Sequence, residues 1–217
     1  MIGKGLIVSC QSEKGSSFYD SESIVKFSLE AERGGAVGLR LRDTKNILEV
    51  SKVSQLPIIG LTKSNYDNGD VWITPHWSQA KELMSVGADY IAMDATGRNG
   101  YLNVEMASNE GVSDIIGDIS HISQAEQALK NGCTMLTTAL SGYTSNCQVD
   151  MNEPDYKLLE NLVKTYPDIP IMAEGRYWER DQVKKGFDLG AHNVVVGTAI
   201  TRPHLITKRL TEACNEK

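Results

Sequence analysis

The sequence predicts a single (β/α)8 TIM barrel that spans residues 1–217. Short apolar segments recur eight times, and helical patterns separate most of them. The composition, with 41% hydrophobic and 23% charged residues, is that of a folded domain with a sizeable core. Alternating strands and helices indicate a parallel sheet, and eight parallel strands close a barrel. The 217 residues are few for this fold, so most loops must be tight.

The predicted strands are short apolar runs, which are typical of strands buried on both faces of a parallel sheet. They are Gly5–Ser9, Ala36–Arg40, Pro57–Leu61, Tyr90–Met93, Asp114–Asp118, Met135–Thr138, Ile169–Ala173 and Asn193–Val196. An open doubly wound sheet is the structural alternative. It is disfavoured because the first strand leads into Cys10–Glu13, which lacks the G-x-G-x-x-G turn of that fold.

Helical periodicity is clearest at Asp155–Tyr166, where Leu158, Leu159 and Leu162 belong to one apolar stripe. Further helices are predicted at Glu22–Arg33, Lys45–Gln55, near Gln79, and at Trp178–Leu189 and Pro203–Cys214. Asp43 and Thr44 are candidate caps of the second of these.

The longest connection is Ser64–Pro75. Long loops in compact domains are usually functional or disordered. Because Tyr66, Trp72 and Ile73 can pack, we predict an ordered flap at the barrel mouth.

Composition also excludes some classes of protein. The net charge of −6 argues against a nucleic-acid binder, but it allows an anionic small substrate held by local positive charge. There is no run long enough to span a membrane and no secretory signal pattern, so we expect a soluble, cytoplasmic protein without membrane partners. The spacing of the four cysteines and four histidines predicts reduced thiols and no metal site.

Polar residues follow the predicted strands, where the chemistry of a barrel is carried out. They are Gln11, Arg40, Lys63, Asp94, Asp118, Thr138, Ser141, Glu174, Arg176, Gly197 and Thr198. Of these, Asp94, Thr138 and Ser141 are predicted to bind substrate. A single strand-end aspartate is more often a cap or an ion-pair partner than a catalyst. Convergence of cations and carboxylates on one rim is much harder to explain structurally. Ser141 lacks the flanking glycines of a nucleophile elbow, so its hydroxyl is expected to bind substrate.

Two glycine-bearing turns predict a phosphate site. Gly175-Arg176 follows the seventh strand, and Gly197-Thr198 follows the eighth. Neighbouring turns at the carboxyl ends of parallel strands present backbone N–H groups to an anion, and Arg176 adds charge.

Lys63 is the most suggestive candidate catalyst. It ends Pro57–Lys63, an apolar strand that would carry the ammonium into the barrel mouth. Burial and nearby Arg40 would lower its pKa and free a neutral amine to act as a base or an imine-forming nucleophile. Pairing of Lys63 with Asp94 or Asp118 is an equally weighted structural alternative.

These residues lie within longer strings that resemble the N-acylglucosamine-6-phosphate 2-epimerase family, also called N-acetylmannosamine-6-phosphate 2-epimerases, of bacterial sialic-acid catabolism. The strings are Leu6–Gln11, Pro57–Gly60, Lys63–Tyr66, Ile73–Pro75, Ile91–Thr96, Asp118–Ser120, Thr137–Thr144, Glu174–Arg176 and Val196–Pro203. They occur in order over almost the whole chain, which makes the resemblance specific.

The resemblance implies a TIM barrel that interconverts N-acetyl-D-mannosamine 6-phosphate and N-acetyl-D-glucosamine 6-phosphate without a metal or organic cofactor. It assigns the acid/base at C2 to Lys63, with Glu174 and Asp118 assisting. It also assigns substrate binding to Gln11, Arg40 and Arg202, and places Gly197 in the phosphate site.

Two other functions stay open. A phosphosugar aldolase would use Lys63 as a Schiff-base nucleophile, and borohydride would then trap an adduct. A non-catalytic phosphosugar sensor would bind the same ligands unchanged, but it needs fewer ionisable groups than this rim provides. Small barrels often associate, so a homodimer is a further expectation.

Overall fold

The barrel predicted from the sequence is present in the computed structural model of the chain, which describes residues 1–65, 70–98, 101–145 and 147–214. In chain order its strands are β1 (Gly5–Cys10), β2 (Gly38–Arg42), β3 (Ile58–Leu61), β4 (Lys63–Asn65), β5 (Val71–Ile73), β6 (Tyr90–Asp94), β7 (Ile115–Asp118), β8 (Cys133–Thr137), β9 (Ile171–Glu174) and β10 (Asn193–Val196). All but β4 and β5 form one closed parallel barrel. Each predicted strand is confirmed to within two residues at either end.

The helices are α1 (Ser21–Arg33), α2 (Thr44–Ser51), α3 (Trp77–Ser85), α4 (Leu102–Asn109), α5 (Ala125–Lys130), α6 (Tyr156–Thr165), α7 (Arg180–Asp188), α8 (Thr198–Thr201) and α9 (Pro203–Ala213). All the predicted helices are confirmed, but α2 ends at Ser51 rather than Gln55. No helix was predicted at α4, α5 or α8, which are short. In the described part of the chain, no helix has both the length and the apolar character needed to cross a bilayer.

Asp43 does not cap α2 as predicted. It occupies the position before the helix at a positive φ of 71°, and its carboxylate makes no capping hydrogen bond among the described residues. It lies instead 3.2 Å from the Arg42 Nε. The physical reason is that an effective cap needs extended backbone, which Asp20 at the start of α1 has.

Side chains along each strand alternate between the barrel interior and the helix layer. The interior cluster includes Ile7, Ile59, Ala92, Ile116, Met135, Met172 and Val195. Two residues further along the same strands come Ser9, Leu61, Asp94, Asp118, Thr137, Glu174 and Gly197. Strand alternation therefore puts a mostly polar layer directly above the apolar filling, at the carboxyl end of the barrel.

The predicted flap is confirmed in part. β4 and β5 form a two-stranded antiparallel hairpin. Ile73 is buried in the interior cluster, and the Trp72 ring packs against Arg98. Tyr66, which was also expected to pack, lies outside the described residues. One expectation was wrong, because Lys63 does not end a barrel strand: β3 stops at Leu61, and Lys63 opens the hairpin.

Candidate active site

A cavity of about 710 Å³ opens at the carboxyl end of the barrel. The predicted site residues that line it are Gln11, Arg40, Lys63, Glu174, Gly175, Arg176, Gly197, Thr198 and Arg202. They come from β2, β4, β9 and the segments that follow β1, β9 and β10, so the closed barrel brings distant parts of the sequence together. Its size suits a small ligand.

The charge of this cavity differs from that of the whole chain. Among the described residues, its lining includes four cationic side chains and two acidic ones. The cations are Arg40, Lys63, Arg176 and Arg202, and the acids are Glu13 and Glu174. The chain carries a net charge of −6, so the positive excess is local. Such a surface favours an anionic ligand.

Arg40 links two carboxylates beneath the cavity. Its Nη2 lies 2.5 Å from Asp118 Oδ2, and its Nε lies 3.3 Å from Glu174 Oε1. The side chains of Arg40 and Asp118 are 2% and 0% exposed, whereas Glu174 keeps 18%. Burial acts to lower the pKa of Arg40, but the charges of Asp118 and Glu174 outweigh it and raise that pKa. Arg40 is therefore a fixed cation in the cavity floor.

Burial acts on both carboxyl groups as well. It raises the pKa of Asp118 to about 7, against the opposing charge of Arg40. It also raises the pKa of Glu174, with Arg40 and Lys63 opposing the rise. Because Glu174 is the one that reaches the cavity, it is the carboxyl group placed to exchange protons with a ligand.

Lys63 is half-buried at the cavity wall, opposite Ile73 in the hairpin. Burial lowers the pKa of its amine, and repulsion from Arg202 lowers it further. The arginines whose charges lower the pKa of Lys63 are Arg202 and Arg42, rather than the expected Arg40. The Arg40 guanidinium is directed at Asp118 and Glu174 instead.

The predicted pairing of Lys63 with Asp94 or Asp118 was also wrong. Among the described residues Lys63 forms no ion pair, whereas Asp94 pairs with Arg98 and Asp118 with Arg40. An unpaired, partly buried amine is easier to deprotonate than a paired one.

Four predicted site residues do not line the cavity within the described part of the chain: Asp94, Asp118, Thr138 and Ser141. Asp118 lies beneath Arg40, and Asp94 is held by Arg98. Each carboxylate is thus neutralised by an arginine and withdrawn from the cavity surface.

Thr138 and Ser141 bind the protein itself. The Thr138 hydroxyl donates to the Glu174 carbonyl at 2.8 Å and accepts from the Glu174 N–H at 2.9 Å. The Ser141 hydroxyl donates to Asp155 Oδ2 at 2.7 Å, at the start of α6. Thr138 therefore holds the strand end that carries Glu174, and Ser141 holds the side chain of Asp155.

The two predicted phosphate turns meet at one side of the cavity. Gly175 has a φ of 105° and open space where a Cβ would lie, and Arg176 follows at a φ of 63°. A Cβ on Gly197 would lie 3.2 Å from the Ser9 Cβ, so the close approach of the two chain segments favours glycine there. The backbone of these turns is thereby exposed to a ligand.

Charge is supplied to these turns by two arginines. Arg176 donates from Nε to the Glu153 carbonyl at 2.6 Å and from Nη1 to the Ser141 carbonyl at 2.7 Å. Arg202 Nη1 lies 2.5 Å from Glu13 Oε1. Arg176 is held by backbone carbonyls, whereas an anionic ligand would compete with Glu13 for Arg202.

Sequence reasoning missed several cavity residues, namely Ser9, Glu13, Tyr143, Met151, Tyr177 and Trp178. Ser9 could have been found from strand alternation, because it lies two positions after Ile7. The others come from loops, which carry no such periodicity. Which loop residues reach the cavity depends on how the loops fold back over the barrel.

Metal ligation was not expected from the sequence. Among the described residues, no group of three or more His, Cys, Asp or Glu side chains is arranged to hold a metal ion. Burial raises the pKa of Cys10 and Cys133 to about 12, which keeps both thiols protonated.

Comparisons with known proteins agree with this geometry. A family model described as "Putative N-acetylmannosamine-6-phosphate epimerase" matches residues 24–216. A relative from Clostridioides difficile, named "Putative N-acetylmannosamine-6-phosphate 2-epimerase", is 38% identical over 96% of this chain and 95% of its own length. A relative of the same name from Caldanaerobacter subterraneus is 36% identical over 100% of this chain and 93% of its own.

Solved structures agree on the fold. The N-acetylmannosamine-6-phosphate 2-epimerase from Clostridium perfringens is similar with a TM-score of 0.89 and 38% identity, over 98% of this chain and 94% of that one. A thiamine phosphate pyrophosphorylase from Pyrococcus furiosus has a TM-score of 0.62 and 16% identity, over 91% and 87% of the two chains. The second similarity concerns the barrel alone.

The closed barrel and the cationic cavity with its lysine and carboxylate define a (β/α)8-barrel enzyme. The relatives narrow that class to isomerases of carbohydrate phosphates. This chain belongs to the N-acetylmannosamine-6-phosphate 2-epimerase family.

Proposed function

We propose that this protein inverts C2 of N-acetyl-D-mannosamine 6-phosphate to give N-acetyl-D-glucosamine 6-phosphate, without a metal or organic cofactor, in sialic-acid catabolism. The observation that carries the proposal is the half-buried Lys63 amine, which forms no ion pair among the described residues, has a lowered pKa and shares one cavity with Arg40 and Glu174. Membership of the epimerase family supports it. That family gives no support to the aldolase alternative.

The chemistry follows from the acidity of carbon next to a carbonyl group. A proton at C2 becomes removable only when the sugar ring opens to its aldehyde. In the proposal, the Glu174 carboxylate accepts the C1 hydroxyl proton and passes it to the ring oxygen as the bond between C1 and that oxygen breaks. Neutral Lys63 then takes the C2 proton. The Arg40 cation stabilises the enediolate oxygen. A proton returned to the opposite face, from Lys63 or from Glu174, inverts the centre.

Asp118 has an indirect part in this proposal. It was expected to assist proton transfer, but it is fully buried below Arg40. We therefore assign it as a positioning residue that fixes the guanidinium. Thr138 is also assigned as a positioning residue, because its hydroxyl bonds the backbone of Glu174.

The other side of the cavity is proposed to hold the phosphate. Gly175, Gly197 and Thr198 offer backbone groups, while Arg176 and Arg202 offer charge. Among the described residues, Arg176 Nη2 and Glu174 Oε2 are buried without a hydrogen-bond partner. Buried polar atoms are normally paired, so these two are the atoms a ligand would satisfy. Remote anchoring of the phosphate would orient the reacting carbon.

A time course by NMR tests the proposed reaction. Purified protein is incubated with N-acetylmannosamine 6-phosphate in D₂O, and we expect N-acetylglucosamine 6-phosphate with deuterium at C2. Product carrying less than one deuterium per molecule would indicate that one lysine returns the same proton. Product without deuterium, combined with no isotope effect for substrate deuterated at C2, would exclude proton abstraction there.

The same experiment separates the alternatives. Substrate that binds but is never converted would favour the non-catalytic sensor. An adduct at Lys63 that borohydride traps would favour the aldolase. The homodimer stays a prediction, which light scattering of the purified protein would test.

The pH dependence of kcat/KM provides a further prediction. The base must be neutral, so activity should rise as the pH rises through the pKa of Lys63. Because burial and Arg202 lower that pKa below 10.5, the midpoint of the rising limb should lie below 10.5. Initial rates measured across this range check it. A midpoint at the ordinary lysine value would show that the amine is solvated and unsuited to the role.

A further inference from the structure

The position of Lys63 depends on a small hairpin rather than on the barrel. β4 pairs with β5 over three residues, with Lys63 opposite Ile73. At the base of the hairpin, the Thr74 N–H donates to the Thr62 carbonyl, and the Thr62 N–H donates to Thr74 Oγ1, both at 3.0 Å. An isolated two-stranded ribbon is marginally stable in water. Contacts from outside the hairpin must therefore hold β5.

Arg98 makes two contacts that hold β5. Its Nη2 donates to the Val71 carbonyl at 2.7 Å, and its guanidinium lies 4.2 Å from the centre of the Trp72 ring. The Arg98 side chain thus binds two consecutive residues of β5, Val71 through a hydrogen bond and Trp72 through a cation–π contact. The Arg98 side chain is only 12% exposed, which strengthens both contacts.

Asp94 connects Arg98 to the barrel. It ends β6, and its Oδ2 forms an ion pair with Arg98 Nη2. Its Oδ1 accepts from the Thr96 N–H at 3.0 Å and from the Thr96 hydroxyl at 2.7 Å. The Thr96 hydroxyl in turn accepts from Arg98 Nε at 3.0 Å. These contacts connect the hairpin to the end of β6. We call the network of Asp94, Thr96 and Arg98 the clamp.

Arg98 Nη1 also lies 3.7 Å from Asp70 Oδ2, and contacts with the loop after β8 hold the same segment. The Val71 N–H donates to the Tyr143 carbonyl at 3.2 Å, and Asp70 Oδ1 accepts from the Ser145 N–H at 2.9 Å. The β5 strand therefore lies between the clamp and the loop after β8. Removal of the clamp alone would leave the hairpin attached but loose.

We propose that Arg98, oriented by Asp94, is a positioning residue that places the Lys63 amine against C2 of the substrate. This inference rests on the proposed function, since it assigns Arg98 to the step that Lys63 performs. It also gives Asp94 a role different from the substrate contact expected from the sequence. A planar guanidinium is required because one side chain must reach a carboxylate, a carbonyl, a hydroxyl and a ring together.

The clamp also controls the surroundings of the amine. The charged groups that act on Lys63 are Arg202 and Arg42, which repel its proton, and Glu174 and Glu13, which attract it. Val71 and Ile73 of the hairpin line the same cavity. A loosened hairpin would admit water to Lys63 and move its pKa back towards the ordinary value of 10.5.

The test compares Arg98→Gln and Arg98→Lys with the wild type and with Arg180→Gln. Arg180 is a matched control because its side chain is 89% exposed and pairs only with Asp181 among the described residues. Displacing a catalytic group by about 1 Å can cost roughly 10²-fold, so we expect kcat to fall about tenfold to a hundredfold in both Arg98 variants. The rising limb of kcat should shift to higher pH, whereas Arg180→Gln should match the wild type.

Hydrogen exchange supplies a measurement that needs no turnover. The amides of β4 and β5 should exchange faster in Arg98→Gln, while those of β6 and β7 should keep their wild-type rates. Asp94→Asn should reproduce both effects. The double variant Asp94→Asn/Arg98→Gln should be no slower than Arg98→Gln, because the two residues act as one unit.

The outcomes separate this inference from the proposed function. An active wild type with unchanged kcat and pH limb in Arg98→Gln would overturn the clamp. Loss of activity with exchange accelerated throughout the barrel would overturn it as well, by showing general destabilisation. A wild type that never converts the sugar would overturn the proposed function and the role of Lys63, while the exchange rates would still test whether Arg98 holds the hairpin.

Discussion

Replacement of Lys63 by methionine should lower kcat/KM by about 10²–10⁴-fold, the range that a positioned general base contributes. Methionine keeps the length of the side chain but has no proton acceptor of comparable strength. The fold should persist, because Lys63 is half-buried and makes no ion pair among the described residues. Steady-state kinetics and circular dichroism of Lys63→Met and Lys63→Ala check both statements.

Lys63→Arg distinguishes a base from a fixed charge. Arginine keeps the positive charge but stays protonated at any working pH, so it cannot abstract a proton. We expect this variant to be as inactive as Lys63→Met. Lys45→Met, which removes an exposed lysine from α2, serves as the control for loss of a lysine as such. Near-normal activity of either Lys63→Met or Lys63→Arg would remove Lys63 from the mechanism.

Replacement of Arg40 by methionine should have the largest effect on stability. It would leave the Asp118 carboxylate, which is 0% exposed, without its partner. Breaking a buried pair typically costs about 3–5 kcal/mol of the free energy of unfolding. Chemical denaturation measures that loss. Activity should vanish too, since Arg40 is the proposed stabiliser of the enediolate.

The pH dependence of that loss has a defined sign. In Arg40→Met, Asp118 must be protonated to remain buried, whereas in the unfolded chain it ionises near 3.8. A carboxyl group whose folded pKa is raised stabilises the fold below its unfolded pKa and loses that contribution as the pH rises. Because the pKa of Asp118 is already raised to about 7 in the wild type, the destabilisation of Arg40→Met relative to the wild type should grow as the pH rises above about 7.

A double variant separates stability from chemistry. Arg40→Met/Asp118→Leu replaces the buried pair by apolar groups, which is often neutral for stability. It should recover most of the lost free energy of unfolding but none of the activity. Arg33→Met breaks only the exposed pair with Glu30 and should leave both quantities unchanged. Wild-type stability of Arg40→Met would contradict the role assigned to the pair.

The sequence predicted the barrel because local pattern and global fold agree along the whole chain. Most barrel strands are short apolar runs, so the length and spacing of these runs were enough to place them, although β2 carries Arg40 and Arg42. α4 was missed because its sequence, Leu102–Asn109, buries only Val104 and Ala107 and has a weak apolar stripe. The prediction of α2 was wrong only at its ends, because capping depends on backbone dihedral angles that residue type does not determine.

The candidate site was predicted where strand order alone decides proximity. Arg40, Glu174 and Gly197 lie in or follow barrel strands, and the closed sheet brings them to one cavity. Strand alternation also decides which of two neighbouring threonines faces the barrel interior. It places Thr137, rather than Thr138, in the inward layer with Asp118 and Glu174. Thr138 points away and binds the backbone of Glu174 instead.

The sequence by itself determined the barrel, the identity of the lysine and the glycines that open the phosphate turns. These properties depend on residue type and on spacing within one segment. Only the tertiary structure decided that Asp118 serves Arg40, that Lys63 lies on a hairpin, and that Arg98 holds that hairpin. Partners of charged groups are chosen by distances across the barrel and by burial, and neither quantity can be obtained from the spacing of residues along the chain.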